Sequence, residues 1–193
     1  MTDKQPIRCP WPKNHYLAIV YHDQEWGVPV HNDLKHFEFL ILDAFQAGLS
    51  WNTILNKREN FRAAFEGFDF EKVAKFDEAK VVELMANAVI VRNQLKIRSS
   101  ITNALAFIKV REEFGAFDTY IWKFVNGNPI VNQHKELKDI VSKTALSDAI
   151  SKDLQKRGFR FVGSTIIYSY LQAAGLVNDH INTCFRYREL SAK

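Results

Sequence analysis

The chain has 193 residues, a formal net charge of +4 and hydrophobic residues at 47%. This length can bury one sizeable core, or two small lobes that share a cleft, and the composition is that of an ordinary soluble globular protein. The mild basic excess permits a polyanionic partner without requiring one.

The N-terminal sequence MTDKQPIRCPWPKNHY has neither the apolar run nor the small-residue cleavage site of a signal peptide. No apolar stretch approaches membrane-spanning length, so we expect no membrane association and a cytoplasmic protein. The two cysteines, Cys9 and Cys184, allow at most one disulfide, which a reducing compartment disfavours. Metal ligation or simple burial is the better expectation for them.

Helix signals recur along the chain, without the sustained polar and apolar alternation that would indicate a sheet. A helix over 33–47 can begin at a cap on Asn32 or Asp33 and end at Gly48. We therefore predict a single all-α domain over residues 1–193. The other predicted helices are 51–65 after Ser50, two short ones that begin at Asp69 and Asp77, 93–113, 117–125, 147–157 and 164–174.

Residues 127–144 carry little helical period. A stretch of this length between periodic segments indicates a long connection between two helical groups. It is the candidate lobe boundary within the predicted domain.

Residues 147–174 follow the pattern of a helix-hairpin-helix motif. In that motif, backbone N–H groups and the positive N-terminus of the second helix bind a DNA phosphate without reading sequence. Gly163 is suited to such a close approach, just before Ser164 and Thr165. The alternative is an αα-hairpin whose glycines only serve the turn, and Phe161 stands where many such hairpins have a first glycine. The cationic side chains around the connection, which suit a phosphate-facing surface, are Lys152, Lys156, Arg157 and Arg160.

The segment NDHINTC places His180 and Cys184 four positions apart. On a helix this spacing would put both on one face, as half of a tetrahedral zinc site. Cys9 and His22 are the candidates for the other half. Four protein ligands leave no open position, so the zinc would be a structural clasp between the N-terminal segment and the C-terminal helix. The alternative is two buried thiols and two histidines with ordinary polar partners.

Several motifs together extend over nearly the whole chain: RCPW, YHDQEWGVP, QAGLSW followed by ILNKRENFRAAF, WKFVN, and KRGFRFVGSTIIYSYLQAAGLVNDH. In this order they resemble the DNA-3-methyladenine glycosylase I family of the helix-hairpin-helix superfamily. The resemblance implies two helical groups around a cleft, and hydrolysis of the N-glycosidic bond of 3-methyladenine in double-stranded alkylated DNA. It also implies one zinc ion per chain, bound by the four residues already named.

Chemistry on a base within a duplex requires that the base leave the stack and enter a pocket. By the resemblance, Trp51 is the stacking residue, and Trp11 and Trp26 are further pocket walls. Tyr21 and Asp43 are implied to bind the base edge, where a carboxylate or hydroxyl oxygen can accept from an exocyclic amine. For each tryptophan alone, core packing is the alternative.

The resemblance further implies that Gly48 and Leu49 fill the gap in the base stack. Asn178 falls where many superfamily members have a catalytic aspartate, and an amide cannot accept a proton. Activity would then depend on the substrate, since a cationic 3-methyladenine leaves as a neutral base. No lysine lies in the hairpin as a Schiff-base nucleophile, so no strand cleavage is expected. No protein partner is implied, and we expect a monomer.

Three positions depart from the family pattern. Asp43 replaces the usual glutamate, which shortens its reach by about 1.5 Å. Ala18 stands where an aromatic residue is frequent, and Val89 replaces a usual glycine. The alternative function is therefore a non-enzymatic binder of alkylated DNA, in which Asp43 fails to reach the base.

Overall fold

A computed structural model describes residues 6–191 as a helical protein, which confirms the predicted all-α class. Polar residues cap the helices where the sequence indicates a start: Asn32 accepts the backbone N–H of Lys35, and Ser50 accepts that of Thr53. The helices are α1 (Tyr16–Gln24), α2 (Asp33–Gln46), α3 (Trp51–Ala64), α4 (Phe70–Val73), α5 (Glu78–Ala86), α6 (Gln94–Phe114), α7 (Phe117–Trp122), α8 (Ala145–Lys156), α9 (Ser164–Ala173) and α10 (Phe185–Ser191).

A two-stranded parallel pair accompanies the helices. Strand β1 (Ile130–Val131) pairs with β2 (Val177–Asn178), with Ile130 opposite Val177. Two residues are too few to leave a periodic signal in the sequence. The pair fastens the 127–144 connection to the segment after α9, and one 3₁₀ turn, Leu137–Asp139, lies within that connection. The lobe boundary suggested for this connection stays a prediction.

The core is rich in phenylalanine, with helices α2, α3, α6 and α7 contributing rings that touch one another. Phe45 and Phe61 have centroids 4.7 Å apart, and Phe107 stacks on Phe117 at 4.2 Å. Each such ring contributes about 1.5–3 kcal/mol through burial. Packing on both faces of α2 fixes the position of its C-terminal end. The candidate site lies between this end and α9.

The segment that contains His180 and Cys184 is not helical, so the predicted helical face is wrong. Strand β2 ends at Asn178, and α10 begins only at Phe185. The Asn178 side-chain oxygen accepts the His180 N–H at 3.2 Å, and the Cys184 N–H donates to the carbonyl oxygen of Ile181 at 2.8 Å. These local bonds form a turn in place of helical hydrogen bonds.

No helix between residues 6 and 191 combines the length and the apolar character needed to cross a membrane.

Candidate functional site

An aromatic pocket of about 230 Å³ lies between the N-terminal segment, helices α1, α2, α3 and α9, and the 127–144 connection. It brings together the five residues that the sequence analysis assigned to base binding. The other lining residues come from α2, α9 and the connection, and no sequence motif indicated them. The full lining is Trp11, Tyr21, Trp26, Asp43, Gln46, Trp51, Leu137, Ile140, Ser169 and Gln172.

The pocket rings contact each other at angles that leave a slot. Trp11 meets Trp26 edge-on, with centroids 5.2 Å apart and planes at 74°. Tyr21 lies 5.1 Å from Trp51 and 6.2 Å from Trp11. Edge-to-face packing of this kind fixes ring orientation and leaves ring faces open to a planar guest.

Three buried polar atoms of the pocket residues lack a hydrogen-bond partner within residues 6–191: Nε1 of Trp11, Nε1 of Trp51 and Oδ2 of Asp43. Leaving a buried donor or acceptor unpaired costs about 1–3 kcal/mol. All three atoms belong to residues that line the same cavity, so a polar, planar ligand in that cavity is the candidate for their missing partner.

The Asp43 carboxyl group is buried, and burial raises its pKa well above the usual range. The Arg58 guanidinium opposes this shift. Burial also raises the pKa of the Tyr21 hydroxyl, and the Asp43 charge adds to that effect. Arg58 itself forms ion pairs with Glu25 and Glu38, at 2.7 and 2.8 Å. The pocket thus contains an acidic group whose ionised form is poorly solvated and would be stabilised by a cationic guest.

A second cluster comprises Cys9, His22, His180 and Cys184, all buried, with their ligand atoms within 4.8 Å of one another. The Cys184 sulfur lies 3.5 Å from Nε2 of His22 and 3.5 Å from Nδ1 of His180. The Cys9 sulfur lies 3.6 Å from the same His180 nitrogen. With ordinary zinc bond lengths, sulfur and nitrogen ligands of a tetrahedral site lie about 3.5 Å apart. The geometry therefore fits a four-coordinate metal ion.

The surroundings of both histidines direct a lone pair into this Cys₂His₂ cluster. Nε2 of His180 donates to the Trp26 carbonyl oxygen at 2.9 Å, which leaves Nδ1 free to bind a metal. Nδ1 of His22 donates to Asp23 at 2.8 Å, so Nε2 carries the lone pair, which points into the cluster and also accepts the Cys9 backbone N–H at 3.3 Å. Arg8 in turn binds the Asp23 carboxylate at 2.7 Å. Such outer partners fix the tautomer and orientation of metal-binding histidines.

The hairpin connection, residues 157–163, joins α8 to α9. Gly163 lies at the N-terminus of α9, where a Cβ atom would meet no other atom within 4 Å, so an outside group can approach closely. No described side chain caps α9, which leaves the N–H groups of Ser164 and Thr165 without helical partners. Phe161 adopts φ of +53°, the left-handed conformation that a glycine would take more readily. These features are those expected of a phosphate-binding hairpin.

Arg157 is engaged elsewhere, which does not favour its predicted contact with DNA. Its guanidinium binds Asp153 at 2.7 Å and Glu113 at 2.6 Å. It also lies over the rings of Phe114 and Tyr120, at 4.9 and 5.1 Å from their centroids. These contacts fasten α8 to α6 and α7. The charge of Arg157 was readable from the sequence, whereas its acidic and aromatic partners come from distant segments.

We call residues 47–49 the plug loop. Gly48, at φ of +82°, reverses the chain after α2 and leaves the Leu49 side chain 41% exposed. The loop lines a groove with Thr165 and Ile166 at the start of α9. The predicted gap-filling residues therefore lie beside the start of α9, and Asp43 borders both this groove and the aromatic pocket.

Asn178, which the resemblance aligns with a catalytic aspartate, is buried in β2 and does not line the pocket. Its amide nitrogen lies 3.4 Å from the hydroxyl oxygen of Ser191. An amide held in this way contributes to the local fold, and no contact in the described structure gives it a chemical role.

The next residue, Asp179, was not predicted as a functional residue from the sequence. Its buried carboxylate accepts from Tyr168 at 2.6 Å and from Gln172 at 2.7 Å, both on α9. It also accepts from Asn132 at 2.7 Å and pairs with His134 at 2.9 Å. Asp179 thereby ties the connection to the pocket residue Gln172. Its two neighbours in the sequence are polar too, so nothing in the local sequence indicated a buried carboxylate.

The chain is similar to known proteins over most of its length. A family described as methyladenine glycosylase matches residues 11–187. DNA-3-methyladenine glycosylase 1 of Escherichia coli is 48% identical over 93% of this chain and 96% of its own length. A crystal structure of 3-methyladenine DNA glycosylase I, also 48% identical, has a TM-score of 0.89 over 93% of this chain and 98% of its own. The Staphylococcus aureus 3-methyladenine DNA glycosylase I, whose structure addresses 3-methyladenine recognition, is 33% identical, with a TM-score of 0.90 over 92% and 95% of the two chains.

Proposed function

Because the chain belongs to the methyladenine glycosylase family, a family of enzymes that act on N-glycosyl bonds, we propose that it releases 3-methyladenine from double-stranded alkylated DNA by hydrolysis and leaves an abasic site. The observation that carries the proposal is the aromatic pocket with its three unpaired buried polar atoms. A methylated adenine has a flat ring for the aromatic slot and polar edges for those atoms.

The flipped base would stack on Trp51, with Trp11 and Trp26 as walls, and present its exocyclic amine to Asp43. The Asp43 Oδ2 atom lacks a partner and borders the pocket, which supports this role despite the side chain's shorter reach. Tyr21 is the second group at the base edge. A cationic 3-methyladenine and an ionised Asp43 would stabilise one another in this dry site, because burial strengthens their attraction.

Bond cleavage would depend on the lesion's own charge. Methylation at N3 leaves the adenine cationic, so it departs as a neutral base and needs little help from a general acid. Stacking contacts with Trp51 that are stronger with the departing base than with the attached base would supply the remaining help. Normal purines and neutral lesions are poorer leaving groups, and we expect them to resist this enzyme.

The duplex would be held by the N-terminus of α9 at Gly163, Ser164 and Thr165, with Arg160 nearby, while Gly48 and Leu49 enter the gap left by the flipped base. Residues 158–163 contain no lysine, which favours a monofunctional glycosylase without strand cleavage. The monomeric state and the cytoplasmic location stay predictions.

The metal of the Cys₂His₂ cluster is proposed to be zinc, one ion per chain. Two thiolates and two imidazoles are the donor set of structural zinc sites, and four protein ligands leave no position for a substrate or for water. The ion would hold the N-terminal segment, and with it the pocket wall Trp11, against the turn at 180–184.

The test is release of free bases from methylated duplex DNA, separated by chromatography. Wild-type protein should release 3-methyladenine and leave 7-methylguanine in place. Trp51→Ala should reduce the rate of release about 5- to 150-fold, since base–aromatic stacking is worth about 1–3 kcal/mol. Tyr16→Ala is the control, because Tyr16 is exposed and lies outside the pocket.

Tight binding to the lesion without release of any base would contradict the enzymatic proposal and favour a binder of alkylated DNA. Asp43→Glu would then be the next variant, because a gain of activity would identify the missing methylene as the cause.

A further inference from the structure

One helix, α6, contacts both elements that are proposed to engage DNA, the plug loop and the hairpin connection. Lys96 reaches the plug loop, and Asn103 reaches the hairpin connection. Both side chains are buried, with 6% and 1% of their surface exposed. They lie two turns apart on one face of the helix, about 10 Å along its axis.

The contact with the plug loop is made by the Lys96 ammonium group. Its nitrogen donates to the carbonyl oxygens of Phe45 at 2.9 Å and Ala47 at 2.6 Å. These carbonyls belong to the end of α2, where helical partners are lacking and the helix dipole is negative. Lys96 therefore caps α2 at the residue before Gly48, where the plug loop turns.

The burial of Lys96 is costly, which indicates that the two bonds matter. No carboxylate between residues 6 and 191 pairs with its ammonium group. Burial lowers the pKa of Lys96, as expected for a cation removed from water. An apolar side chain at this position would have no charge to desolvate. The two hydrogen bonds to the α2 carbonyls therefore offset the desolvation cost of the Lys96 ammonium group.

The contact with the hairpin connection is equally specific. Oδ1 of Asn103 accepts the backbone N–H of Arg160 at 2.7 Å, and Nδ2 of Asn103 donates to the Arg160 carbonyl oxygen at 3.0 Å. Two bonds to one backbone residue fix both its position and its rotation. Arg160 directly precedes Phe161, whose left-handed conformation sets the course of the hairpin toward Gly163.

We propose that Lys96 and Asn103 are positioning residues through which α6 sets the separation between the plug loop and the hairpin connection. With that separation fixed, a duplex held by its phosphate at the hairpin presents the lesion site to Leu49. This inference rests on the proposed function. Neither residue lines the aromatic pocket, so their contribution concerns the duplex and not the free base.

The experiment compares Lys96→Met and Asn103→Leu with wild type in three measurements. Tryptophan fluorescence gives the affinity for free 3-methyladenine, which should stay within about twofold of wild type. The affinity for a duplex that contains a tetrahydrofuran abasic-site analogue should fall at least tenfold for each variant. The single-turnover rate of base release should fall with it. Lys109→Met, an exposed lysine on the same helix, is the matched control and should leave all three unchanged.

Thermal melting establishes that each variant is folded, and Lys96→Gln, which retains an N–H donor, replaces Lys96→Met if the latter is unstable. Unchanged duplex affinity in both folded variants would overturn the inference. An equal loss of affinity for the free base and for the duplex would also overturn it, because the residues would then act on the pocket. If wild-type protein binds the abasic duplex but releases no base, the proposed function fails. The duplex affinities of the variants would still test whether α6 sets the separation between the plug loop and the hairpin connection.

Discussion

At the scale of single residues, Asp43 combines two opposed effects. Its buried carboxyl group is proposed to bind a cationic base, and the same burial destabilises the folded protein when no ligand is bound. Burial raises the pKa of Asp43, so the folded state binds its proton more tightly than the unfolded state does. The stability contributed by this proton is fully present below the unfolded pKa, near 4, and is lost as the pH rises through the raised folded pKa.

Asp43→Asn should therefore raise the melting temperature at pH 7 while base release falls at least about tenfold. The gain should be absent near pH 4 and grow as the pH increases. A gain of about 1 kcal/mol in the free energy of unfolding corresponds to a rise of about 2–4 °C in the melting temperature for a chain of this size. Melting curves across pH 4–8 measure it, and a pH-independent difference would contradict the assigned cause.

Candidate site residues could be predicted from the sequence where the residue type is rare or has few chemical roles. With two cysteines in the chain, Cys9 and Cys184 had few alternative roles, and His180 lies close to the second of them. The geometry could not be read in the same way. The spacing of His180 and Cys184 suggested a helix, yet a turn brings the same two atoms together, because Asn178 binds the backbone there.

At the scale of elements, the approach of α9 to the segment after α1 depends on a glycine. Gly175 adopts φ of +71°, and a Cβ atom there would lie 2.3 Å from the carbonyl carbon of Val28. The Val30 N–H, nearby, donates to the carbonyl oxygen of Ala174 at 3.0 Å. Only a residue without a side chain permits this backbone contact, which places the C-terminal end of α9 beside the pocket wall.

Gly175→Ala should destabilise the protein by at least about 3 kcal/mol, since overpacking against backbone adds to the strain of the left-handed conformation. Gly127→Ala is the matched control, because Gly127 has φ of +74° and open space around it. It should cost only the strain, about 1 kcal/mol. Urea denaturation of both variants measures the difference, and equal losses would show that the backbone contact carries no energy.

Helix boundaries were largely predictable, since caps such as Asn32 and Ser50 act locally. The long-range contacts of α6 were not, because nothing near Lys96 in the sequence indicates that its partners lie at residues 45 and 47. The 127–144 segment was predicted as a long connection between two helical groups, but no sequence feature predicted that its residues Leu137 and Ile140 line the pocket.

At the scale of the whole molecule, the Cys₂His₂ cluster joins the two ends of the described chain. Removing the metal should lower the free energy of unfolding by at least about 3 kcal/mol, because four buried ligands lose their common partner. This corresponds to a fall of about 6–12 °C in the melting temperature. Metal analysis should find one zinc ion per chain. A folded protein that contains no metal and is indifferent to chelators would refute the clasp.

Arg8→Ala tests the outer partners of the same site. Loss of the ion pair with Asp23 should weaken metal binding by about 10- to 100-fold, because Asp23 orients His22. Competition with a chromogenic chelator measures the affinity. An unchanged affinity would mean that Asp23 orients His22 without help from Arg8.

The clasp also has a consequence for biosynthesis. Cys9 and His180 are 171 positions apart, so the ligand set is incomplete on the ribosome until translation has passed Cys184. Trp11, two residues after Cys9, is part of the pocket wall that this closure holds in place. If the cluster binds the proposed zinc ion, a nascent chain would lack its finished pocket until the turn at 180–184 has emerged from the ribosome and bound that ion.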